Sequence, residues 1–285
     1  MTKTLRLLAA DWQGGNKPEY YFGAELLSWL APKNRNQKEV RLPIAYPDTA
    51  SLLKENGVIA QKAVKENVQI SKRILEKEQP EKIITLGGTC LVSQAPLDYL
   101  RGKYKDELGV IWIDAHPDIS NPEIFYNEHA MVLGNLLGMG DPELSKIVEN
   151  PLSSDSILYV GLQEPSFDEQ NILSDLNINY TIQQDKHLNY SEIQEWINKN
   201  KFKKIAIHFD LDVLDPNSFR SVYFSEPGKD KFPAGAGNMS LLEVTTILTN
   251  LFDNNEIVGL TIAEYLPWDA IELRKLLNKL SIFNQ

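Results

Sequence analysis

Residues 108–118, LGVIWIDAHPD, place a run of apolar residues directly before Asp114, His116 and Asp118. The run has no alternating polar positions, which is typical of a strand buried on both faces of a parallel sheet. The three polar residues are two positions apart, so an extended chain directs them to the same side. The stretch therefore predicts a buried strand that ends in a carboxylate, an imidazole and a second carboxylate.

Apolar runs of strand length alternate with stretches of helical spacing along all 285 residues. This alternation predicts an α/β fold with a mainly parallel sheet between two layers of helices. The other predicted strands are LRLLAADW (5–12), EKIITLGG (81–88), SILYVGL (156–162), INYTIQ (178–183), KKIAIHFDLD (203–212) and EIVGLTIAEY (256–265). The longest predicted helix covers about residues 49–77 and ends before Pro80. No repeat or flexible linker interrupts the pattern, which favours a single domain over residues 1–285.

The composition excludes several classes of partner. The 39 acidic residues outnumber the 29 basic ones, and no basic cluster offers the charge that binding to nucleic acid requires. No apolar run has the length of a signal sequence or a membrane span. A single cysteine, Cys90, fits a reducing compartment. We therefore expect a cytoplasmic protein with neither nucleic acid nor membrane as a partner.

The stretch 203–216, KKIAIHFDLDVLDP, delivers His208, Asp210 and Asp212 from a second strand. Because parallel strands end at the same edge of a sheet, we expect these residues to meet Asp114 and its neighbours. Converging carboxylates repel one another unless a cation compensates them, and oxygen ligands with a minority of imidazoles suit Mn²⁺ better than Mg²⁺ or Zn²⁺. Alternatively, each segment is an ordinary turn or helix cap. The presence of both segments favours a metal site.

Four segments resemble the signature segments of the arginase and agmatinase family, the ureohydrolases: GGTC (87–90), DAHPD (114–118), HFDLDVLDP (208–216) and EYLP (264–267). The resemblance spans nearly the whole chain. It implies an arginase-like three-layer α/β/α sandwich with an eight-stranded sheet, two Mn²⁺ ions at the strand ends, and a trimer or hexamer. It also implies hydrolysis of a guanidino compound, in which a metal-bound hydroxide attacks the guanidinium carbon to give urea and an amine.

The resemblance also implies roles for the individual residues of the two strands. Asp114 and Asp210 would bridge the two metals. His116 and Asp212 would complete one site, and Asp118 would belong to the other and orient the hydroxide.

Two further residues match functional positions of the family. Glu264 corresponds to the glutamate that receives the guanidinium group, and the alternative is an ordinary salt bridge at a strand end. His129 corresponds to a histidine that relays protons, a task suited to its unperturbed pKa of about 6.5. The alternative for His129 is a helix cap or a surface position, and the family's following glycine is Ala130 here.

The family's first signature reads Gly-Gly-Asp-His, but Thr89 and Cys90 replace its last two residues. Cys90 therefore stands where the family has a metal-ligating histidine. Our preferred interpretation is a small buried residue beside a weakened or empty metal site. The second is a thiolate ligand, which would favour Zn²⁺ or Fe²⁺ over Mn²⁺. The third, a nucleophile, is disfavoured because no histidine is near in sequence.

Several residues around these segments have open roles. His208 is two positions before Asp210, so it faces the ligands as a supporting partner, acts as a substitute ligand, or simply bonds the backbone. Phe125, Tyr126 and Asn127 either line the substrate pocket or pack the short loop 119–128. That loop is agmatinase-like in length, and Ser166 replaces the aspartate with which arginases hold the substrate's α-amino group. Both departures count against free L-arginine.

The leading hypothesis is thus a metal-dependent hydrolase of a small guanidino compound. Two alternatives stay open. One is a non-catalytic or single-metal relative with a binding or assembly role, motivated by Cys90. The other is an amidohydrolase of a formimino or acylated amine, for which Glu264 would be dispensable.

Overall fold

The computed structural model describes residues 3–47, 51–280 and 282. Its strands are β1 Thr4–Ala9, β2 Lys38–Arg41, β3 Lys54–Glu55, β4 Val58–Ile59, β5 Lys82–Gly87, β6 Leu108–Ile113, β7 Ile157–Val160, β8 Lys204–Asp210 and β9 Ile257–Ala263. Its α-helices are α1 Glu19–Leu30, α2 Gln61–Glu78, α3 Gln94–Tyr104, α4 Val132–Leu137, α5 Pro142–Ser145, α6 Phe167–Asp175, α7 Tyr190–Asn200, α8 Leu241–Asn254 and α9 Trp268–Asn278.

The central sheet has the order β2-β1-β5-β9-β8-β6-β7, and all its pairs are parallel. Strand β6 is buried along its whole length. Its Val110 and Trp112 join an apolar cluster with α2 and α3, whereas Ile111 and Ile113 join another with α7 and α8. Since successive strand residues face opposite sides, helices cover both faces of the sheet. The predicted α/β sandwich is confirmed, with seven sheet strands rather than eight within the described ranges.

Six of the seven predicted strand stretches form strands, and the stretch 178–183 does not. There the side chain of Gln183 accepts a hydrogen bond from the Gly161 amide at 3.0 Å and donates one to the Tyr159 carbonyl at 3.1 Å. A side chain thus fills hydrogen bonds of the backbone at the end of β7 that another strand would otherwise fill, and the stretch does not pair as a strand. The sequence analysis missed β2, a charged edge strand that pairs with β1.

The helix predicted for residues 49–77 begins too early. Residues 49 and 50 lie outside the described ranges, and β3 and β4 form an antiparallel hairpin before α2 starts. Its turn residues Asn56 and Gly57 both have positive φ, 48° and 91°, as a tight Asn-Gly hairpin turn requires. The Ile59 amide then donates to the Tyr126 carbonyl at 2.9 Å. The hairpin therefore supports the loop that carries Tyr126.

The sheet order places β5, β9, β8 and β6 side by side, so their carboxyl ends form one continuous rim. In parallel sheets such a rim is where ligands bind. None of the helices in the described part of the chain is both long and apolar enough to cross a membrane. The single domain, the homo-oligomer and the cytoplasmic location stay predictions.

Candidate metal centre

Each of the four adjacent strands delivers a polar residue to the rim. Cys90 follows β5, Asp114 follows β6, Asp210 ends β8, and Glu264 follows β9. All four residues are at least 98% buried, so the rim concentrates three carboxylates and a thiol away from water. Charges in such a place need partners of opposite sign.

Three groups of potential metal ligands lie at this rim, and within each group the ligand atoms are within 4.8 Å of one another. The groups are Cys90, Asp114, His208 and Asp210; Asp114, His116 and Asp212; and Asp210, Asp212 and Glu264. The structure thus brings the predicted ligands of both strands together. Asp118 faces the same cavity but belongs to none of the three groups found among the described residues.

His116 is arranged as a ligand of the second group. Its Nε2 donates to the Gly235 carbonyl at 2.9 Å, while Nδ1 lies 3.2 Å from Asp212 Oδ2 and 3.5 Å from Asp114 Oδ1. One ring nitrogen is therefore held by the backbone and the other faces the carboxylates, which is the usual arrangement of a metal-binding histidine. Burial opposes protonation of the ring, but Asp212 and Asp114 outweigh it and raise the pKa of His116 well above its ordinary value.

The carboxylates are incompletely compensated. Burial, and then the neighbouring acids, raise the pKa values of Asp118 and Asp210 well above the usual range and that of Asp212 to about 6. Among the described residues, Asp118 Oδ2 and Asp212 Oδ1 are buried without a hydrogen-bond partner. Buried acceptor oxygens without donors are what a divalent cation satisfies. The donor set therefore fits a metal centre.

Cys90 begins a short 3₁₀ helix that continues to Ser93 and leads into α3. Its thiol donates to Asp210 Oδ2 at 2.7 Å and lies 3.7 Å from Glu264 Oε1. Burial, followed by Asp210 and other nearby acids, raises the pKa of the thiol well above its ordinary value. Without a cation the group thus stays a neutral thiol, which disfavours a nucleophile. The structure leaves the buried-residue and ligand interpretations standing.

Glu264 is held from two sides. The Tyr20 hydroxyl donates to Oε2 at 2.6 Å, and His129 Nδ1 lies 2.7 Å from Oε1. Burial opposes ionisation of Glu264, but His129 and Tyr20 outweigh it and lower the pKa of the carboxyl. Burial likewise disfavours the charged His129, yet Glu264 raises the pKa of the imidazole. The pair is therefore arranged so that each group favours the charged form of the other, and both line the cavity.

The backbone is strained at two of these acids. Asp118 and Glu264 have φ values of 51° and 63°, in the left-handed region that non-glycine residues rarely adopt. The Glu264 amide donates to the Gly88 carbonyl at 2.9 Å. Gly88 itself has no room for a side chain, because a Cβ atom there would lie 1.7 Å from the Asp11 carbonyl oxygen. Close packing of β1, β5 and β9 thus fixes the Glu264 backbone.

The acids open into a cavity of about 740 Å³. Phe125, Tyr126 and Asn127 line it, as one of the two sequence interpretations expects. The Phe125 and Tyr126 rings stack at 4.7 Å, so these residues also pack the loop. Ser166 lies at the cavity edge, where its hydroxyl forms a capping box with Glu169 at the start of α6.

Sequence reasoning missed one residue of the cavity, Tyr20, and one buried acid behind it, Asp11. Asp11 follows β1 and accepts hydrogen bonds from Thr89 and Gly14, and burial raises its pKa. Its position after an apolar strand is the signal that found Asp114, so it could have been identified. Tyr20 lies on α1, and nothing in the sequence distinguishes it from its neighbour Tyr21.

Comparison with known proteins gives consistent results. The arginase of Entamoeba histolytica is 35% identical over 114 residues, 38% of each chain, and that of Plasmodium berghei is 29% identical over 205 residues, 67% of this chain and 54% of the relative. The matched segments thus span about half or less of these curated relatives. The crystal structure of Entamoeba histolytica arginase with L-ornithine superposes with a TM-score of 0.77 at 22% identity, covering 94% of this chain and 92% of the other. The pattern of the arginase family matches residues 36–272, most of the sequence, so the protein belongs to the arginase family.

Proposed function

We propose that the protein hydrolyses a guanidino compound at a divalent-metal centre and releases urea and an amine. The observation that carries this proposal is the placement of Glu264, a buried carboxylate that faces the same cavity as Asp118, Asp210 and Asp212. Membership of the arginase family and the arginases among its curated relatives support it. Neither the non-catalytic alternative nor the amidohydrolase is favoured by these comparisons.

The residues that would hold the metals are those of the rim. Asp114, His116, Asp210 and Asp212 offer mainly oxygen and suit Mn²⁺, and Asp114 and Asp210 would be shared with a second ion near Cys90. When bound, the divalent cations would acidify a water molecule and offset the negative charge that develops during its attack. Asp118 Oδ2, which has no hydrogen-bond partner among the described residues, would accept a hydrogen bond from that water.

Glu264 would receive the guanidinium group. A carboxylate accepts two N–H groups of this planar fork side by side, and the pairing fixes the plane of the guanidinium. Tyr20 and His129 each hold one oxygen of Glu264, so its orientation is set before the substrate enters. The lowered pKa of Glu264 keeps it ionised at neutral pH. The guanidinium carbon is thereby directed toward the carboxylate side of the cavity.

His129 would deliver the proton that the departing amine requires. A guanidinium ion and one water give urea and a protonated amine, so both protons of the water end on the leaving nitrogen: one is needed as the C–N bond breaks, and the second protonates the released amine. Glu264 raises the pKa of His129 against the effect of burial, which favours a protonated ring near neutral pH. An imidazolium in contact with the substrate's anchor can act as this general acid.

The lining of the cavity favours a substrate without a carboxylate. Glu164 and Glu169 line it, and Lys17, the one lysine among its described lining residues, is paired with Glu226 at 3.0 Å. An acidic rim repels the carboxylate of free L-arginine and attracts a tail that is neutral or positively charged. We therefore propose an agmatine-like guanidino compound as the substrate class.

The experiment is an assay of urea release by the Mn²⁺-loaded protein from agmatine, L-arginine and guanidinobutyrate, with a formimino and an acylated amine as further substrates. We expect urea from at least one guanidino compound, and most from agmatine. Glu264→Gln should lower kcat/KM about 30- to 5,000-fold, because an ion pair lost from a buried site costs about 2–5 kcal/mol. Urea from none of the guanidino compounds, or undiminished turnover by Glu264→Gln, would overturn the proposal.

A further inference from the structure

His208 is a fully buried histidine that the reaction proposed above does not use. Its Nδ1 lies 2.7 Å from Ser93 Oγ, and its ring stacks on Trp112 with 3.8 Å between the ring centroids. These two contacts fix both the plane and the rotation of the ring. The other nitrogen, Nε2, is buried without a hydrogen-bond partner among the described residues and lies 3.6 Å from Asp114 Oδ2.

This arrangement repeats that of His116 on the other side of Asp114. In both rings one nitrogen is bonded to the protein and the other faces the carboxylates. At 3.6 Å, His208 Nε2 is too far from Asp114 Oδ2 for a normal hydrogen bond. The separation leaves room for an atom that both groups contact, and a cation that binds a nitrogen and an oxygen at about 2.0–2.2 Å meets this condition.

The remaining members of the group are Cys90 and Asp210. Their ligand atoms, with those of Asp114 and His208, all lie within 4.8 Å of one another. The thiol donates to Asp210 Oδ2, so the sulfur already faces the inside of the group. The short helix Cys90–Ser93 carries both the sulfur and the hydroxyl that orients His208. One element thus prepares two of the four donors.

We propose that Cys90 and His208, with Asp114 and Asp210, form the first metal site, and that His208 supplies from β8 the imidazole that position 90 lacks. This inference deepens the proposed function, because it concerns the same centre. One thiolate, one imidazole and two carboxylates form a four-coordinate set that suits Zn²⁺, Fe²⁺ or Co²⁺ better than Mn²⁺. The centre therefore holds a softer metal in the first site than in the site of His116.

The first test is a titration of the metal-free protein with Co²⁺, followed by absorption spectroscopy. The wild type should show a thiolate-to-cobalt charge-transfer band, and Cys90→Ser should lack it. His208→Gln keeps a terminal amide that can donate to Asp114 but removes the ring nitrogen. The substitution should weaken Co²⁺ binding in this site by about 100-fold or more, whereas loss of a residue that only supports a ligand weakens metal binding about 10- to 100-fold. His187→Gln is the matched control, because His187 bonds Glu243 and Asn238 away from the rim, and it should bind Co²⁺ like the wild type.

The second test does not depend on a variant. Anomalous diffraction from Zn²⁺-loaded wild-type crystals should place an ion about 2.1 Å from His208 Nε2 and about 2.3 Å from Cys90 Sγ. An ion that excludes His208, or Co²⁺ binding that His208→Gln leaves unchanged, would overturn the proposal and leave His208 as a buried ring held by Ser93 and Trp112. The urea assay is read separately. A missing urea signal with an intact charge-transfer band would refute the proposed reaction and leave this site standing.

Discussion

Removal of metal should make the stability of the protein fall as the pH rises. In the metal-free protein, burial, against the effect of His116, raises the pKa of Asp212 from 3.8 to about 6. Between these values the folded protein binds more protons than the unfolded chain, so the free energy of unfolding decreases with pH. A shift of about two pKa units corresponds to about 3 kcal/mol of stability, which is present in full below the pKa of Asp212 in the unfolded chain. About 1.4 kcal/mol of it remains at pH 5, and none at pH 8.

Two of the neighbouring acids act in the same direction. Burial raises the pKa values of Asp118 and Asp210 well above the usual range, so their contributions are also lost as the pH rises. The lowered pKa values of Asp114 and Glu264 act in the opposite direction, but their contributions are lost only as the pH falls through the acid range. The free energy of unfolding should therefore drop by at least about 1.4 kcal/mol between pH 5 and pH 8 in EDTA.

Urea-induced unfolding, followed by circular dichroism at a series of pH values, measures this change. Asp212→Asn is the matched control, because it removes the titrating carboxyl and should flatten the profile by about 1.4 kcal/mol over the same range. Saturating Mn²⁺ should restore stability most at pH 8, where the carboxylates are ionised and bind the cation. A metal-free profile that is flat or rises between pH 5 and pH 8 would refute the reasoning.

Three further substitutions and one control test the residues that surround Glu264. Tyr20→Phe removes a hydrogen bond to the charged Glu264, which is worth about 1.5–3 kcal/mol. The value of kcat/KM should therefore fall about 10- to 100-fold, and the acid limb of its pH profile should move to higher pH. An unchanged kcat/KM would show that Tyr20 does not hold Glu264 for the reaction. His129→Gln should lower kcat by about 10²- to 10⁴-fold and abolish the alkaline limb of the pH profile, and an unchanged limb would exclude His129 as the general acid. Gly88→Ala should destabilise the fold by about 1–3 kcal/mol or more in thermal unfolding, because its Cβ would lie 1.7 Å from the Asp11 carbonyl oxygen. Gly138→Ala, with open space around the new atom, should cost only about 1 kcal/mol for its positive φ.

Much of the fold was predictable, because strands that are buried in a parallel sheet appear in the sequence as apolar runs. The strands β6 and β8 and the residues that follow them could be placed from periodicity alone. The stretch 178–183 misled because its composition is that of a strand, whereas a single backbone bond from Gln183 to Leu162 and two bonds of the Gln183 side chain take the place of the ladder. The hairpin was missed although Asn56-Gly57 is a strong turn signal, because the helical spacing around it dominated the interpretation.

Most residues of the site could be predicted from the sequence, but the contacts between them could not. The spacing of His208 and Asp210 indicated a shared face, but whether His208 bonds a backbone group or faces the carboxylates depends on Ser93 and Trp112, which lie on the short helix Cys90–Ser93 and on β6. The attachment of Tyr20 to Glu264 likewise depends on how α1 packs against β9. Contacts between distant segments have no local pattern, so a single sequence cannot reveal them.

The hydrogen bond from the Ile59 amide to the Tyr126 carbonyl connects the loop of the cavity to a hairpin that is not part of the central sheet. The loop that lines the cavity is bonded to the hairpin of β3 and β4, which lies outside the central sheet, whereas Asp114, Asp210 and Glu264 end or follow strands of the sheet itself. Hairpin and loop can therefore change together without a change in the sheet. Grafting residues 54–59 and 119–128 as a pair should reshape one side of the cavity and leave its other lining residues, among them Glu164 and Glu169, in place.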